Sequence, residues 1–138
     1  MSESLFGSFC RKGVIKAKRV DTQSVIKAYF QQIKVCPNCN DFYFKLGQSF
    51  LDCGEMRKAF KAYLKGIECG GDSIDNLLYW ANLMYNSSLF LEAGRLYSLA
   101  LSYSSVDPTI CYKLASCLRS TGDIKEAQAL EVIAQSLE

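Results

Sequence analysis

The sequence predicts an all-α fold of stacked antiparallel helix pairs, and a 34-residue period is the main reason. Ala59, Ala93 and Ala127 each follow the previous one by 34 residues. Large apolar residues recur at helical spacing before each alanine, and turn-compatible residues divide each period into two halves. A fixed period of this length indicates repeats that each bury an apolar face against a neighbouring repeat.

Each period has the same internal pattern when it is numbered from Asn40, Ile74 and Pro108. The first half carries large apolar residues at unit positions 4, 7 and 11 and a small residue at position 8. The second half carries a small residue at position 20, an aromatic residue at 24 and a small residue at 27. This spacing predicts one buried stripe on each helix, and the small residues let the paired helices approach closely.

The pattern resembles the tetratricopeptide repeat, which has apolar, Leu, Gly and Tyr-like positions in its first helix and Ala, Phe/Tyr and Ala in its second. The resemblance covers 40–138 as three full units, and Tyr29 with Pro37 marks an N-terminal partial unit before them. It implies a right-handed superhelical stack of antiparallel helix pairs. Glu131 departs from the pattern, because it stands where Tyr63 and Tyr97 stand.

Capping signals predict the helix boundaries. The first predicted helix begins at Asp21 or Thr22 and ends near Val35, and the next two span Asp41–Asp52 and Met56–Cys69. A fourth helix starts after Asp72 or Ser73 and ends near Tyr85, and a fifth starts after Ser88 and ends near Tyr103. The sixth starts at Asp107-Pro108, and the seventh starts with a capping box of Asp123 and Glu126.

Residues 1–20 are predicted to form an N-terminal basic arm or short helix, and 21–138 the repeat domain. The positive charges between Arg11 and Arg19 fit either an arm that meets an acidic partner or nucleic acid, or a solvated helix face.

The composition excludes several classes of protein. The chain has 138 residues, 49% hydrophobic content, 16 basic and 14 acidic side chains and seven cysteines. We predict no membrane span. The nearly balanced charges leave no strong positive potential over the whole protein that would attract nucleic acid. The seven cysteines lead us to predict a cytoplasmic location with free thiols. Cys36 and Cys39 have the spacing of zinc ligands, but a structural zinc site needs four ligands and two of them would be guesses. For these two cysteines, zinc binding, a redox role and ordinary thiols in a turn stay open. For the chain as a whole, we predict no bound metal or cofactor.

Catalysis is not expected from this sequence. The chain contains no histidine, which removes Ser-His and Cys-His nucleophilic pairs. No glycine-rich phosphate loop or dinucleotide fingerprint is present. We therefore predict a protein that is not an enzyme.

The predicted binding site is the groove lined by the first helix of each unit. Its residues lie at unit positions that point away from the buried stripe. They are Phe44, Gln48, Leu51, Leu78, Tyr79, Asn82, Tyr85, Tyr112, Lys113, Ser116 and Arg119. Apolar and aromatic side chains beside hydrogen-bonding ones suit an apolar peptide or an amphipathic helix of a partner protein. Alternatively, these side chains cover one another or an N-terminal helix.

Two further comparisons with the family refine the predicted role. Members that grip the C-terminal carboxylate of heat-shock chaperones use a set of Lys, Asn and Arg, of which only Lys113 is present at the matching position. In overall plan the chain is similar to the small chaperones of bacterial type III secretion. We therefore predict a chaperone or adaptor for an apolar segment of a partner protein. The alternative is a structural subunit that uses its convex face and its last helix, where Leu130, Ile133 and Leu137 would support a homodimer or heterodimer.

Overall fold

The computed structural model describes residues 12–103 and 107–138, with side chains from Thr22 onward in the first helix. Within these residues the chain forms seven α-helices and no strand. The helices are α1 (Lys12–Val35), α2 (Asn40–Asp52), α3 (Met56–Gly70), α4 (Ile74–Asn86), α5 (Phe90–Tyr103), α6 (Pro108–Thr121) and α7 (Ile124–Ser136). Residues 1–11 of the predicted basic arm lie outside the described residues.

The predicted helix pairs are confirmed. The pairs α2 with α3, α4 with α5 and α6 with α7 pack together, α5 also packs on α6, and α1 packs on α2. The chain divides into two compact units that are larger than the 34-residue repeat. The first unit, Met1–Gly71, contains α1 to α3, and the second unit, Asp72–Glu138, contains α4 to α7. No helix of the described residues is long and apolar enough to cross a membrane.

Two helix starts follow the predicted capping signals. The Ser73 hydroxyl accepts a hydrogen bond from the Asn76 N–H at 3.2 Å, as expected for the residue that caps α4. The Asp107 carboxylate accepts one from the Thr109 N–H at 2.8 Å, and proline takes the first position of α6. These starts are encoded locally, because the cap and its partner lie within three residues of each other.

One predicted helix start and two predicted caps are wrong. The helix start at Asp21 or Thr22 does not exist, since α1 is one continuous helix from Lys12. Ser88 does not cap α5 but turns the chain with a φ of 62°. Asp123 precedes α7 without accepting a capping hydrogen bond, so the capping box does not form.

The repeating small residues form the centre of the packing. Ala59, Ala93 and Ala127 have no exposed surface, and Tyr63 and Tyr97 are buried beside them. The first-helix stripe is fully buried in α4. It is only partly buried in α2, where Tyr43 and Phe50 keep some exposed surface. A close fit of small residues at each crossing keeps paired backbones near each other and removes apolar area from water.

Candidate functional site

Two of the three site residues predicted on α2 take part in local contacts. The Phe44 ring packs on the Tyr63 ring with 5.3 Å between centroids. The Gln48 amide lies on the exposed side and donates to Asp52 Oδ1 at 3.5 Å, a long hydrogen bond. Leu51 is half-buried. Within the first unit, Phe44 therefore belongs more to the α2–α3 packing than to an open face.

In the second unit, Tyr85 of α4 brings several predicted residues together. Its hydroxyl lies 2.8 Å from the Ser116 hydroxyl of α6. The Lys113 ammonium lies 5.3 Å from the centroid of the Tyr85 ring, within the range of a cation–π interaction. The other sides of the ring contact Phe90 and Tyr97. Helices α4 and α6 are thus joined at the predicted face by an aromatic ring with a fixed orientation.

Asn82 is held by a residue that the sequence placed in the core. The buried Tyr97 hydroxyl donates to Asn82 Oδ1. Burial, followed by the charges of Cys117 and Tyr85, raises the pKa of Tyr97 to about 12. A buried tyrosine usually has a hydrogen-bond partner for its hydroxyl, so the predicted burial of Tyr97 was the sequence signal for a contact of this kind. Its partner could not be read from the sequence, because the bond joins two different helices.

Tyr112 and Arg119 of α6 are engaged by the last helix and the chain end. The Tyr112 hydroxyl donates to Glu138 Oε2 at 2.9 Å, and Arg119 Nε donates to Glu131 Oε2 at 3.0 Å. Arg119 holds the pKa of the Glu131 carboxyl below its usual value, mainly through this hydrogen bond. Glu131, which broke the aromatic pattern, is therefore a polar partner of a predicted site residue. The sequence analysis identified neither Glu131 nor Glu138 as a partner of these side chains.

Leu78 and Tyr79 complete the predicted face on α4. Leu78 is half-buried, while 53% of the Tyr79 surface is exposed. The second unit thus presents an exposed aromatic ring on α4, Tyr79, and on α6 the ring of Tyr112, whose hydroxyl is hydrogen-bonded to Glu138. The Tyr85–Ser116 hydrogen bond joins α4 to α6, and the Asn82–Tyr97 hydrogen bond joins α4 to α5.

The Cys36-x-x-Cys39 turn holds a disulfide rather than two thiols, which corrects the expectation of free cysteines at this turn. Among the described residues, Cys53, Cys69, Cys111 and Cys117 are free. No group of three or more metal-ligating His, Cys, Asp or Glu side chains occurs in the part of the chain that the structure describes.

Paired antiparallel helices with small residues at their crossings define a helical-repeat protein, and comparisons with known proteins give the type. Residues 41–68 match the family model of the tetratricopeptide repeat. The chain therefore has a tetratricopeptide-like helical-repeat fold, as its sequence predicted. Repeats of this type typically form scaffolds for protein interaction, which supports the coarse prediction of a protein-binding module.

Solved structures agree with this fold. A crystal structure of MamA is 21% identical, with a TM-score of 0.55, and the match covers 93% of this chain and 75% of that one. A second MamA structure is 21% identical, with a TM-score of 0.56 and coverage of 88% and 66%. A structure titled MamA MSR-1 C2 is 16% identical, with a TM-score of 0.54 and coverage of 85% and 67%. At these identities the likeness shows the fold alone. A search of curated proteins by sequence found no match.

Proposed function

We propose that this protein is a non-catalytic chaperone or adaptor that holds an apolar helical or extended segment of a partner protein. The binding surface is the face of α4 and α6 in the second unit, formed by Leu78, Tyr79, Asn82, Tyr112 and Lys113. A chaperone of the type III secretion kind is the specific form that we propose, on the resemblance of overall plan.

The observation that carries this proposal is that Tyr79 is exposed on α4, close to the Asn82 side chain, which a hydrogen bond holds in place. Just over half of the Tyr79 surface is exposed. A tyrosine ring contributes strongly to binding when a partner covers it, so this exposed ring suits a contact with a partner. Asn82 lies one turn further along α4, and its side-chain oxygen is held by Tyr97. Rigid, pre-oriented side chains lose little entropy on binding, which favours this face as a recognition surface.

The test compares partner capture by the full chain and by a Tyr79→Ala/Tyr112→Ala variant. Tyr103→Ala is the matched control, because that tyrosine is 45% exposed on α5 of the same unit. We expect the double variant to keep its helical circular dichroism and to lose cross-linked partners from cells of the native host. The control should keep them. Equal recovery of the same partners by all three proteins would refute a role for this face.

A structural subunit is the second candidate, and the last helix supports it. Four apolar side chains of α7 and its C-terminal end are more than two-fifths exposed: Ile124, Val132, Ile133 and Leu137. A cleft of about 330 Å³ between α5, α6 and α7 lies next to Ile133. An apolar helix face of this kind is typically covered by another copy or by a partner subunit.

The oligomeric state of the purified chain tests this second candidate. Val132→Asp introduces a charge on α7, and Leu91→Asp introduces the same charge at an equally exposed position on α5. If α7 forms a fixed interface, light scattering will show a dimer that Val132→Asp dissociates and Leu91→Asp leaves intact. A monomer at all accessible concentrations would argue against self-assembly through this helix.

A further inference from the structure

The first unit contains an open apolar cleft of about 570 Å³ between α1, α2 and α3. Ile26, Leu46 and Ala62 form its floor and are buried. Phe30 and Phe50 form one wall, where their rings meet edge to face with 6.4 Å between centroids. This surface is separate from the α4–α6 face of the proposed function, since all of its residues belong to the other unit.

The cleft exists because α1 and α3 both pack on α2 and leave part of its apolar stripe uncovered. Unit positions 4 and 11 of α2, Tyr43 and Phe50, were predicted to be buried but are only half-buried. Phe30 on α1 is 47% exposed. Exposed apolar area costs roughly 25 cal/mol per Å² relative to burial, so a ligand that covers these rings gains stability from them.

Lysines surround this apolar surface on two sides. Lys58, Lys61 and Lys65 line it from α3, and their spacing of three and four residues places them in one row. The row extends about 10 Å along the helix, at 1.5 Å per residue. Lys27 lines the cleft from α1.

Only part of this positive charge is compensated within the unit. Glu55 pairs with Lys58 at 2.9 Å, and Glu68 pairs with Lys65 at 3.7 Å. Among the described residues, no acidic side chain forms an ion pair with Lys27 or Lys61. Two exposed ammonium groups on opposite sides of the apolar cleft are thus available to a ligand.

We propose that this cleft docks an acidic amphipathic helix of a partner protein. Apolar side chains on successive turns of that helix enter the cleft over Phe30 and Phe50. Its Glu or Asp side chains meet the lysines of α3 on one flank and Lys27 on the other. A row of lysines about two helical turns long matches acidic groups spread along a helix better than it matches a single carboxylate.

The probe is a fluorescein-labelled 15-residue helical peptide with Leu at positions i, i+3, i+4 and i+7 and Glu on both flanks. Binding to the full chain is followed by fluorescence anisotropy at 50 mM and 500 mM salt. We expect saturable binding that weakens at least threefold at the higher salt, because exposed charge pairs are screened. A peptide with the same leucines and Lys in place of Glu should bind at least tenfold more weakly.

Charge-reversal variants test the lysines directly. Lys27→Glu/Lys61→Glu should weaken binding of the acidic peptide at least tenfold. Lys34→Glu/Lys125→Glu makes the same change in net charge at exposed positions outside the cleft and should leave binding within twofold. Equal effects of the two double variants would reduce the interaction to net charge and overturn the proposal.

The apolar wall is tested separately. Phe30→Ala should weaken binding several-fold without unfolding the chain, because half of that ring is already exposed. Val35→Ala, at an 87% exposed position of the same helix, is the control and should have no effect. Unchanged binding by Phe30→Ala would overturn the proposed contact.

Other occupants of the cleft give distinct results that also overturn the proposal. Decanoate that displaces the peptide and binds more tightly would assign the cleft to a small anionic amphiphile. Self-association that excludes the peptide and is abolished by Lys27→Glu/Lys61→Glu would assign it to a second copy. Absence of peptide binding at 1 mM protein would remove the docking site. None of these outcomes bears on the α4–α6 face, so the two proposals fail independently.

Discussion

The Phe44 ring of α2 occupies the space that a side chain on Gly66 of α3 would need. A Cβ at Gly66 would lie 2.5 Å from Phe44 Cε1 and 3.1 Å from Tyr43 Cβ. Both distances are shorter than an ordinary van der Waals contact, and Tyr43 Cβ is fixed to the backbone. The absence of a side chain at Gly66 thus sets how closely α2 and α3 approach.

Gly66→Ala should destabilise the chain by about 1 kcal/mol in urea unfolding. Overpacking costs typically about 1–3 kcal/mol, and the higher helix propensity of alanine returns up to about 1 kcal/mol. Gly94→Ala is the control, since its Cβ would meet its nearest neighbour at 3.5 Å, an ordinary contact. That variant should be stabilised by about 1 kcal/mol. If Phe44→Ala does not relieve the effect of Gly66→Ala, the clash is not its cause.

Ser88→Gly should stabilise the second unit. Ser88 has a φ of 62°, and the same unit position holds Gly54 at 78° and Gly122 at 98°. A residue with a Cβ is strained in this left-handed conformation, so glycine should raise the free energy of unfolding by about 0.5–1 kcal/mol. Ser87→Gly, at a φ of −91°, should lower it by a similar amount. Thermal unfolding that ranks the two variants the other way would contradict this account of the turn.

The Tyr85–Ser116 hydrogen bond should couple α4 to α6. Tyr85→Phe removes the hydroxyl and keeps the ring contacts with Phe90 and Tyr97, so the expected cost is about 1 kcal/mol. Ser116→Ala should cost about the same. The double variant should lose less than the sum of the two, because each single change already breaks the bond. Additive losses would show that the two hydroxyls do not interact in solution.

The Arg119–Glu131 pair should make stability depend on pH on the acid side. Arg119 lowers the folded-state pKa of Glu131 below its ordinary 4.5. A lowered carboxyl pKa contributes stability that is complete above the unfolded pKa and is lost as pH falls through the folded pKa. Glu131→Gln should therefore show a smaller loss of stability between pH 7 and pH 3 than the wild type. Glu126→Gln on the same helix serves as the comparison, and equal pH profiles for the two variants would contradict the prediction.

The cysteines should differ sharply in their reaction with iodoacetamide at pH 8. Burial raises the pKa of the Cys117 thiol to about 11 and also raises that of Cys111, which keeps both in the unreactive thiol form. The half-buried Cys69 should be alkylated faster than these two. Cys36 and Cys39 should react only after reduction. Site-resolved mass spectrometry checks the order, and alkylation of Cys36 without a reductant would exclude the disulfide in solution.

The sequence by itself determined the repeat, the helix pairs and the start of α6. Ala59, Ala93 and Ala127 identified the helix crossings, because only small side chains fit where two backbones come close. Asp107 and proline identified the helix start, because a cap and its N–H partner are neighbours in the chain. Such features depend on residues within a few turns of one another, so periodicity and spacing are sufficient to find them.

The tertiary structure alone decided how the candidate site residues are partnered. Helical spacing assigned Phe44 and Arg119 to an outward face, yet Phe44 packs over Gly66 and Arg119 binds Glu131 of the next helix. It assigned Phe50 to the core, yet Phe50 lines an open cleft. Periodicity fixes which side of a helix turns inward. The distances between side chains of different helices depend on how far apart those helices pack, and the packing of the whole unit sets that separation.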